Sequence, residues 1–194
     1  MGIILGIIGS FVLFFIYDVN DALWKNKFLQ CFFGVGCLGL AAATVSGIWL
    51  ASFSLVLNVS FWAGILLSVL FFALLIDTLF FALPMKATYG DHVGGEKRTV
   101  CSSGMYALCR HPGVLWLAGM YAGIWLALPG SEAGTLFLTT TVCNVFYVWF
   151  QDSWTFPNIF DQYEKYRHST PFLIPTMKSI RACISDLKER KCGL

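Results

Sequence analysis

The sequence predicts an all-α fold, a polytopic membrane helix bundle of about five transmembrane helices in a single domain. Hydrophobic residues make up 57% of the 194-residue chain and charged residues only 12%, and the apolar residues are gathered in long stretches separated by short polar ones. This composition is typical of integral membrane proteins rather than of soluble or disordered ones. The chain has no room for a second sizeable domain. It indicates neither a nucleic-acid partner nor an obligate protein partner.

Five stretches are long and apolar enough to be spans. A helix needs about 20 residues to cross about 30 Å of hydrocarbon, so the two shorter stretches imply tilt, local thinning of the bilayer or cover by protein. Asp18, Asn20 and Asp21 are expected to end the first span, which lacks the basic flank and cleavage site of a signal peptide and is expected to be retained. The predicted spans are 3–17, 28–52, 56–83, 114–129 and 133–150, followed by a tail over 151–194.

The basic residues indicate how these spans face. With five spans, all thirteen Lys and Arg residues fall on one side, in the loops after the first and third spans and in the C-terminal tail. Basic residues accumulate on the cytoplasmic side of membrane proteins. The sequence therefore predicts a multi-pass protein with its N-terminus outside, its C-terminus cytoplasmic and a cytoplasmic loop over 85–112.

The end of the tail predicts an amphipathic helix. Residues 176–194 carry apolar side chains at helical spacing with basic residues between them, a pattern typical of helices that lie on an anionic membrane surface. The alternative is a frayed polar tail. The apolar positions are Met177, Ile180, Ile184 and Leu187.

The seven cysteines show no Cys-x-x-Cys spacing, so reduced thiols are expected rather than a disulfide framework. His92 and His168 lie at no metal-ligand spacing from a cysteine or an acid. No metal site is therefore expected.

The segment 109–115, centred on Arg110-His111-Pro112, contains the first candidate site residues. It lies where the polar loop meets the fourth predicted span, and ionisable side chains at a membrane boundary are costly and often functional. Pro112 suits the first turn of a helix, so Arg110 and His111 would lie near the positive helix end, which favours an anion. The alternative is structural, with Arg110 reaching lipid phosphate and His111 capping a neighbour.

Asp77 is the acid deepest in a predicted span. Burying its carboxylate without a partner would cost several kcal/mol. We expect Asp77 either to hydrogen-bond Asn144 or Thr140, or to line a cavity for a lipid-like substrate.

Motifs after the last span complete a pattern that begins upstream. In order, the chain has Gly-x-Tyr, Arg-His-Pro, a pair of spans, an acidic position at the membrane exit, Tyr-x-x-Tyr and Pro-x-x-x-Pro. This order, over about residues 99–175, resembles the isoprenylcysteine carboxyl methyltransferase family, which includes many phospholipid-methyltransferase-like proteins. The residues that carry the resemblance are Gly104, Tyr106, Arg110, His111, Pro112, Asp152, Tyr163, Tyr166, Pro171 and Pro175, and Gln151 departs from the acidic pair of the family.

The resemblance implies a site for S-adenosyl-L-methionine, covered by the cytoplasmic loop and tail. Arg110 and His111 would be catalytic, and Arg110 would contact the acceptor. Apart from the resemblance, Asp77 would contact the acceptor too if it lines the cavity. Aromatic faces and a carboxylate suit the sulfonium and the ribose hydroxyls of this cofactor. The cofactor-binding positions would be Gly104, Tyr106, His111, Pro112, Asp152, Tyr163 and Tyr166.

The function implied is methyl transfer to a membrane lipid or another lipid-like or apolar acceptor, for which proximity and orientation do most of the work. A carboxylate acceptor needs no base, whereas an amine would have to lose a proton, with His111 the nearest candidate base. Two alternatives stay open. One is an NADPH-dependent membrane reductase resembling the steroid 5-alpha-reductases, which also carry an Arg-His-Pro. The other is a non-catalytic membrane protein on the same scaffold.

Overall fold

The computed structural model describes residues 1–52, 56–81 and 98–189, and this part of the chain is predominantly helical. The expected helical membrane architecture is confirmed in outline, because four helices are long and apolar enough to cross a membrane. A fifth apolar helix is shorter and corresponds to the fourth predicted span. The four are Gly2–Trp24, Lys27–Ser52, Val59–Phe81 and Ser131–Ile159, and the shorter one is Pro112–Ala127.

Nine helices and two short strands are labelled here within the described residues. Turns of π-helix extend three of the helices, over Asn20–Trp24, Asp77–Phe81 and Gln151–Thr155. The elements are α1 (Gly2–Val19), α2 (Lys27–Ser52), α3 (Val59–Ile76), β1 (Arg98–Thr99), α4 (Met105–Leu108), α5 (Pro112–Ala127), α6 (Ser131–Phe150), α7 (Phe156–Ile159), β2 (Phe160–Asp161), α8 (Tyr163–Ser169) and α9 (Met177–Glu189).

The first and last predicted spans end later than expected. Asp18 does not stop the first helix, because its buried carboxylate accepts a hydrogen bond of 2.9 Å from the Gln151 side chain. Asn20 is also buried, and its side chain bonds both the backbone N–H and the carbonyl of Asn26, at 2.8 and 3.0 Å. Because these polar groups find partners inside the protein, they do not need water and the helix continues.

The described chain forms two compact units. The first consists of Met1–Phe72 and Leu117–Gln151, and the second of Ala73–Trp116 and Asp152–Leu194.

The core of the first unit is built from α1, α2, α5 and α6. Its fully buried apolar side chains fill the space between helices, and the Tyr121 hydroxyl is hydrogen-bonded to Thr44. Gly64 is required for close packing, since a Cβ there would lie 2.4 Å from the backbone nitrogen of Ala127. Small residues permit such approach of membrane helices. The buried cluster contains Ile7, Phe11, Phe14, Ala43, Tyr121 and Leu136.

The second unit contains the strands and the short helices that follow the apolar spans. The strands pair in parallel, Arg98 opposite Phe160 and Thr99 opposite Asp161. The sequence predicted no strands, because two-residue segments carry no alternation that a pattern can show. The predicted loop over 85–112 therefore includes β1 and α4. Residues 85–97 of that loop, with His92, lie outside the described residues.

The predicted C-terminal helix is present as α9. Its first turn is capped reciprocally: the Thr176 N–H donates to the Ser179 hydroxyl at 2.9 Å, and the Ser179 N–H donates to the Thr176 hydroxyl at 3.2 Å. This arrangement satisfies backbone donors that have no partner within the helix. The residues from 190 onward lie outside the described part of the chain.

Five cysteines are free thiols, as expected, but Cys101 is disulfide-bonded. The expectation of reduced thiols throughout is therefore wrong at this position. Cys192 lies outside the described residues. The free thiols are Cys31, Cys37, Cys109, Cys143 and Cys183.

Candidate functional site

Arg110 lies in the link between α4 and α5. Its backbone and its side chain are both hydrogen-bonded to the end of α8 and the residues that follow it. Its backbone N–H donates to the Pro171 carbonyl at 2.9 Å. Its NH1 group donates to the carbonyls of Arg167, at 2.6 Å, and Thr170, at 2.8 Å. Pro112 begins α5 immediately afterwards, where a proline costs no hydrogen bond. The guanidinium is therefore fixed in position and orientation.

Asp152 is the acceptor around which the site is organised. Its Oδ1 accepts from Arg110 Nε at 2.7 Å, from the Tyr163 hydroxyl at 2.7 Å and from His111 Nε2 at 3.3 Å. Its Oδ2 accepts from Arg110 NH2 at 3.0 Å, and Arg167 Nε lies 3.4 Å from the same oxygen. A buried carboxylate needs this many donors to offset the loss of water. Protein groups engage both of its oxygens.

The position of Asp152 depends on the π-helical turn Gln151–Thr155. Such turns widen a helix locally and are frequent at functional sites. Neighbouring side chains point to different partners here: Asp152 bonds Arg110, whereas Gln151 bonds Asp18 within the first unit. The sequence predicted a cytoplasmic tail from residue 151, and the chain instead stays helical through Thr155.

His111 is buried between aromatic rings. It stacks on Phe156 with ring centroids 5.6 Å apart, and Phe172 meets it edge-on at 5.3 Å. Burial lowers the pKa of His111 below its ordinary 6.5, although the hydrogen bond to Asp152 opposes this change. The neutral imidazole is therefore favoured, with the Nε2 proton assigned to the bond with Asp152.

Two tyrosines of α8 donate into this region from successive turns. The Tyr163 hydroxyl donates to Asp152 at 2.7 Å, and the Tyr166 hydroxyl donates to the Tyr106 carbonyl at 2.7 Å. Tyr106 in turn donates its hydroxyl to the Thr78 carbonyl at 3.3 Å. Burial is the largest factor that raises the pKa of both α8 tyrosines, and Asp152 raises that of Tyr163 further. Both hydroxyls therefore remain protonated donors.

Gly104 and Asp77 lie in the same unit, outside this cluster. Gly104 adopts φ 63°, and its N–H donates to the Asp186 carboxylate of α9 at 3.1 Å. Asp77 begins the π-helical turn after α3 and is half-buried. Its neighbour Thr78 is fully buried and accepts a bond of 3.0 Å from Trp116 Nε1. The structure thus places Arg110, His111, Asp152 and Tyr163 in one cluster, with Tyr106 and Tyr166 joined to each other.

The sequence reasoning missed three members of this site. Arg167 follows Tyr163 by one helical turn, so the spacing i, i+4 was the available signal that both face Asp152. Phe156 and Phe172 surround the His111 ring, and Phe172 also lies under the Arg110 guanidinium at 5.6 Å. No local pattern distinguishes these phenylalanines from the many others in the chain.

A cavity of about 250 Å³ lies beside the paired strands and is lined in part by Tyr166, whose ring centroid is 5.9 Å from that of Tyr163. Its wall combines a carboxylate, an ammonium group and hydroxyls, which suit a ligand carrying both charge and hydrogen-bonding groups. The aromatic rings around His111 and Tyr163 add faces that attract cations. The polar lining comprises Thr99, Ser102, Asp161, Gln162, Lys165, Tyr166 and Ser169.

No family model, curated protein or solved structure matches this chain. The resemblance of its motifs to a family therefore stays a hypothesis.

Proposed function

We propose that the protein transfers a methyl group from S-adenosyl-L-methionine to a lipid-like or apolar acceptor at the cytoplasmic face of a membrane. The observation that carries this proposal is the bidentate contact between Arg110 and Asp152. It joins the two sequence segments, Arg-His-Pro and the tail, to which the family resemblance assigns cofactor and acceptor. His111 and Tyr163 share the same carboxylate.

The residues fit the proposed cofactor in part. Phe156 and Phe160 lie against Tyr163, with ring centroids 5.5 and 6.4 Å away, and their faces favour a sulfonium cation. Lys165 and Asp161 in the adjoining cavity would meet the carboxylate and amine of an amino-acid moiety. Bound there, the cofactor supplies an electrophilic methyl group. A ribose hydroxyl could reach Asp152 only by displacing one of its present donors.

The chain's own residues would then act by orientation and by proton control. Arg110 holds the carboxylate of Asp152 in place, and Asp152 holds the Nε2 proton of His111. This leaves Nδ1 of the neutral imidazole as the nitrogen with a lone pair. His111 would accept a proton from an amine acceptor through that nitrogen, whereas a carboxylate acceptor would require only positioning.

The proposed orientation has five spans, with the N-terminus outside. Helix α5 would be the fourth span, although its 16 residues reach only about 24 Å. A span of this length requires local thinning of the bilayer or cover by neighbouring helices. In favour of this topology, all thirteen Lys and Arg residues of the chain then lie on the cytoplasmic side.

A non-catalytic role is the second candidate, and the saturation of Asp152 favours it. Four protein donors already occupy the acceptor positions of this carboxylate, so it can hold chain segments together without any ligand. On this hypothesis the cluster is a structural lock, meaning a set of contacts that only holds chain segments together, and no ligand would bind to it.

The deciding experiment is calorimetric titration of the full chain in lipid nanodiscs with S-adenosylhomocysteine and, separately, NADPH. The proposal expects saturable binding of the first, weakened at least tenfold in Lys165→Gln, which lines the cavity, but not in the matched Lys27→Gln, at an exposed position of α2. Radiolabel from the methyl group of S-adenosyl-L-methionine should enter the lipid fraction. Binding of NADPH alone would indicate a reductase, and binding of neither compound would leave the structural lock.

A further inference from the structure

Helix α9 presents two faces of different character. One face is docked within the second unit: Ser179 and Cys183 are buried, and Asp186 accepts a hydrogen bond from the Gly104 N–H at 3.1 Å. The helix is therefore anchored at a defined rotation, with Asp186 contacting the residue immediately before α4.

The adjacent face is apolar and exposed. Met177, Ile184 and Leu187 are 68, 49 and 46% exposed, and Ile174 just before the helix is 82% exposed. The spacings of seven and three residues place the three helical side chains in one stripe. Four large exposed apolar side chains in so short a segment indicate an interaction surface rather than chance exposure.

Basic side chains border this stripe on the side away from the docked face. Lys178, Arg181 and Lys188 are all exposed. Arg181 lies one turn beyond Met177, and Lys188 lies one turn beyond Ile184. The helix thus carries an apolar stripe with a positive border, the arrangement of helices that lie in the interface of an anionic bilayer.

The same unit contains the ends of apolar helices, which bring a bilayer close. Phe80 and Phe81, at the end of the Val59–Phe81 helix, are 51 and 74% exposed. Exposed phenylalanines at the end of a helix of this length are solvated by lipid in a membrane protein. The unit that contains α9 is therefore in reach of a bilayer, which offers acyl chains and headgroups to an exposed face.

We propose that α9 binds the surface of an anionic bilayer, inserting Met177, Ile184 and Leu187 among the acyl chains while Lys178, Arg181 and Lys188 contact lipid phosphates. Asp186 connects the docked face of α9 to Gly104. Binding of α9 to the bilayer therefore also holds α4 and the loop that leads to Arg110. The surface is independent of any methyl transfer, and it requires only the membrane in which the protein resides.

Photocrosslinking of the full chain in nanodiscs tests this proposal. The photoreactive residue p-benzoylphenylalanine replaces Ile184, on the apolar stripe, or Ala182, which is exposed about 200° away around the helix. The discs contain phosphatidylcholine alone or with one-third phosphatidylglycerol. We expect Ile184 to crosslink to acyl chains at least fivefold more than Ala182, and more in the anionic discs.

A charge-neutralised variant provides the matched control. Lys178→Gln/Lys188→Gln should lose the preference for phosphatidylglycerol, whereas Lys25→Gln/Lys27→Gln, with the same change in net charge at other exposed positions, should keep it. Should the Ile184 replacement prevent folding, Leu187 offers the same stripe. Equal crosslinking at the two positions, an absence of lipid-charge dependence, or crosslinking mainly to another protein would overturn the proposal.

Discussion

Arg110 and Asp152 lie 42 residues apart in the sequence and form a two-pronged ion pair, with Nε–Oδ1 at 2.7 Å and NH2–Oδ2 at 3.0 Å. Their side chains are only 9 and 5% exposed. Parallel hydrogen bonds between a guanidinium and a carboxylate fix both distance and orientation. The pair therefore determines where the Arg-His-Pro segment meets the π-helical turn Gln151–Thr155.

Replacing Asp152 should destabilise the protein strongly. Asp152→Asn removes the charge that compensates a buried guanidinium, and breaking one partner of a buried pair costs about 3–5 kcal/mol. We expect a large fall in the midpoint of thermal unfolding in detergent, followed by circular dichroism. The control is Asp161→Asn, at an exposed carboxylate on the cavity wall, which should change stability by less than about 0.5 kcal/mol.

A double variant separates charge from packing. Arg110→Met/Asp152→Leu removes both charges together, and apolar replacement of a buried pair is often close to neutral. The double variant should therefore be more stable than Asp152→Asn alone. If the double variant is less stable than Asp152→Asn, the ion pair of Arg110 and Asp152 contributes net stability. The penalty assigned to an uncompensated buried charge is then wrong.

The two tyrosines of α8 provide a matched comparison. Tyr163→Phe removes a donor from a carboxylate, which should cost about 1.5–3 kcal/mol, whereas Tyr166→Phe removes a donor from the neutral Tyr106 carbonyl, which should cost about 0.5–1.5 kcal/mol. Both changes keep the ring and its packing. Unfolding in a graded series of denaturing detergent measures the difference, and an equal or reversed order would contradict the assigned roles.

The burial of His111 predicts that acidification destabilises the protein. The folded-state pKa of His111 lies below the ordinary value of 6.5, so between the two values the unfolded chain binds more protons than the folded one. Stability therefore rises with pH across that window and falls as pH drops through it, by at most about 1.4 kcal/mol per pH unit.

The measurement compares unfolding midpoints from pH 8 to pH 5 in the unmodified protein and two variants. His111→Gln should flatten the loss below pH 6.5, whereas His168→Gln, at an exposed position of α8, should leave it unchanged. A steeper acid loss in His111→Gln would mean that the folded protein favours the charged imidazole.

The long helices could be predicted from the sequence because hydropathy alone determines them. Their ends could not, since these depend on whether a polar side chain finds a partner elsewhere. Asp18 was expected to end the first span, but it bonds Gln151, and the helix continues. The two-residue strands were missed for a related reason: Arg98 and Phe160 pair only once tertiary structure brings them together.

Part of the membership of the site was predictable from the sequence, but its hydrogen bonding was not. Motifs indicated Arg110, His111, Asp152 and Tyr163 as members of one site, and these residues do lie together. The sequence did not indicate that Asp152 would be saturated by protein donors, because that depends on side-chain geometry. Arg167 adds its charge to this carboxylate only because α8 begins at Tyr163, a boundary that no strong signal marks.

Gly104 should not tolerate a side chain, for reasons of backbone conformation alone. Its φ of 63° with ψ of −130° is a region that L-residues rarely adopt, yet a Cβ there would meet nothing within 4 Å. Gly104→Ala should therefore cost about 1–3 kcal/mol through strain, without any steric clash.

The matched control is Gly130→Ala, where φ is −178° and the nearest side-chain atom lies at 3.6 Å. That change should be tolerated, because extended backbone suits any residue. Thermal unfolding of the two variants in the same detergent measures the contrast. Equal stability would show that the loop before α4 relaxes to another conformation and that the Asp186 contact does not hold it.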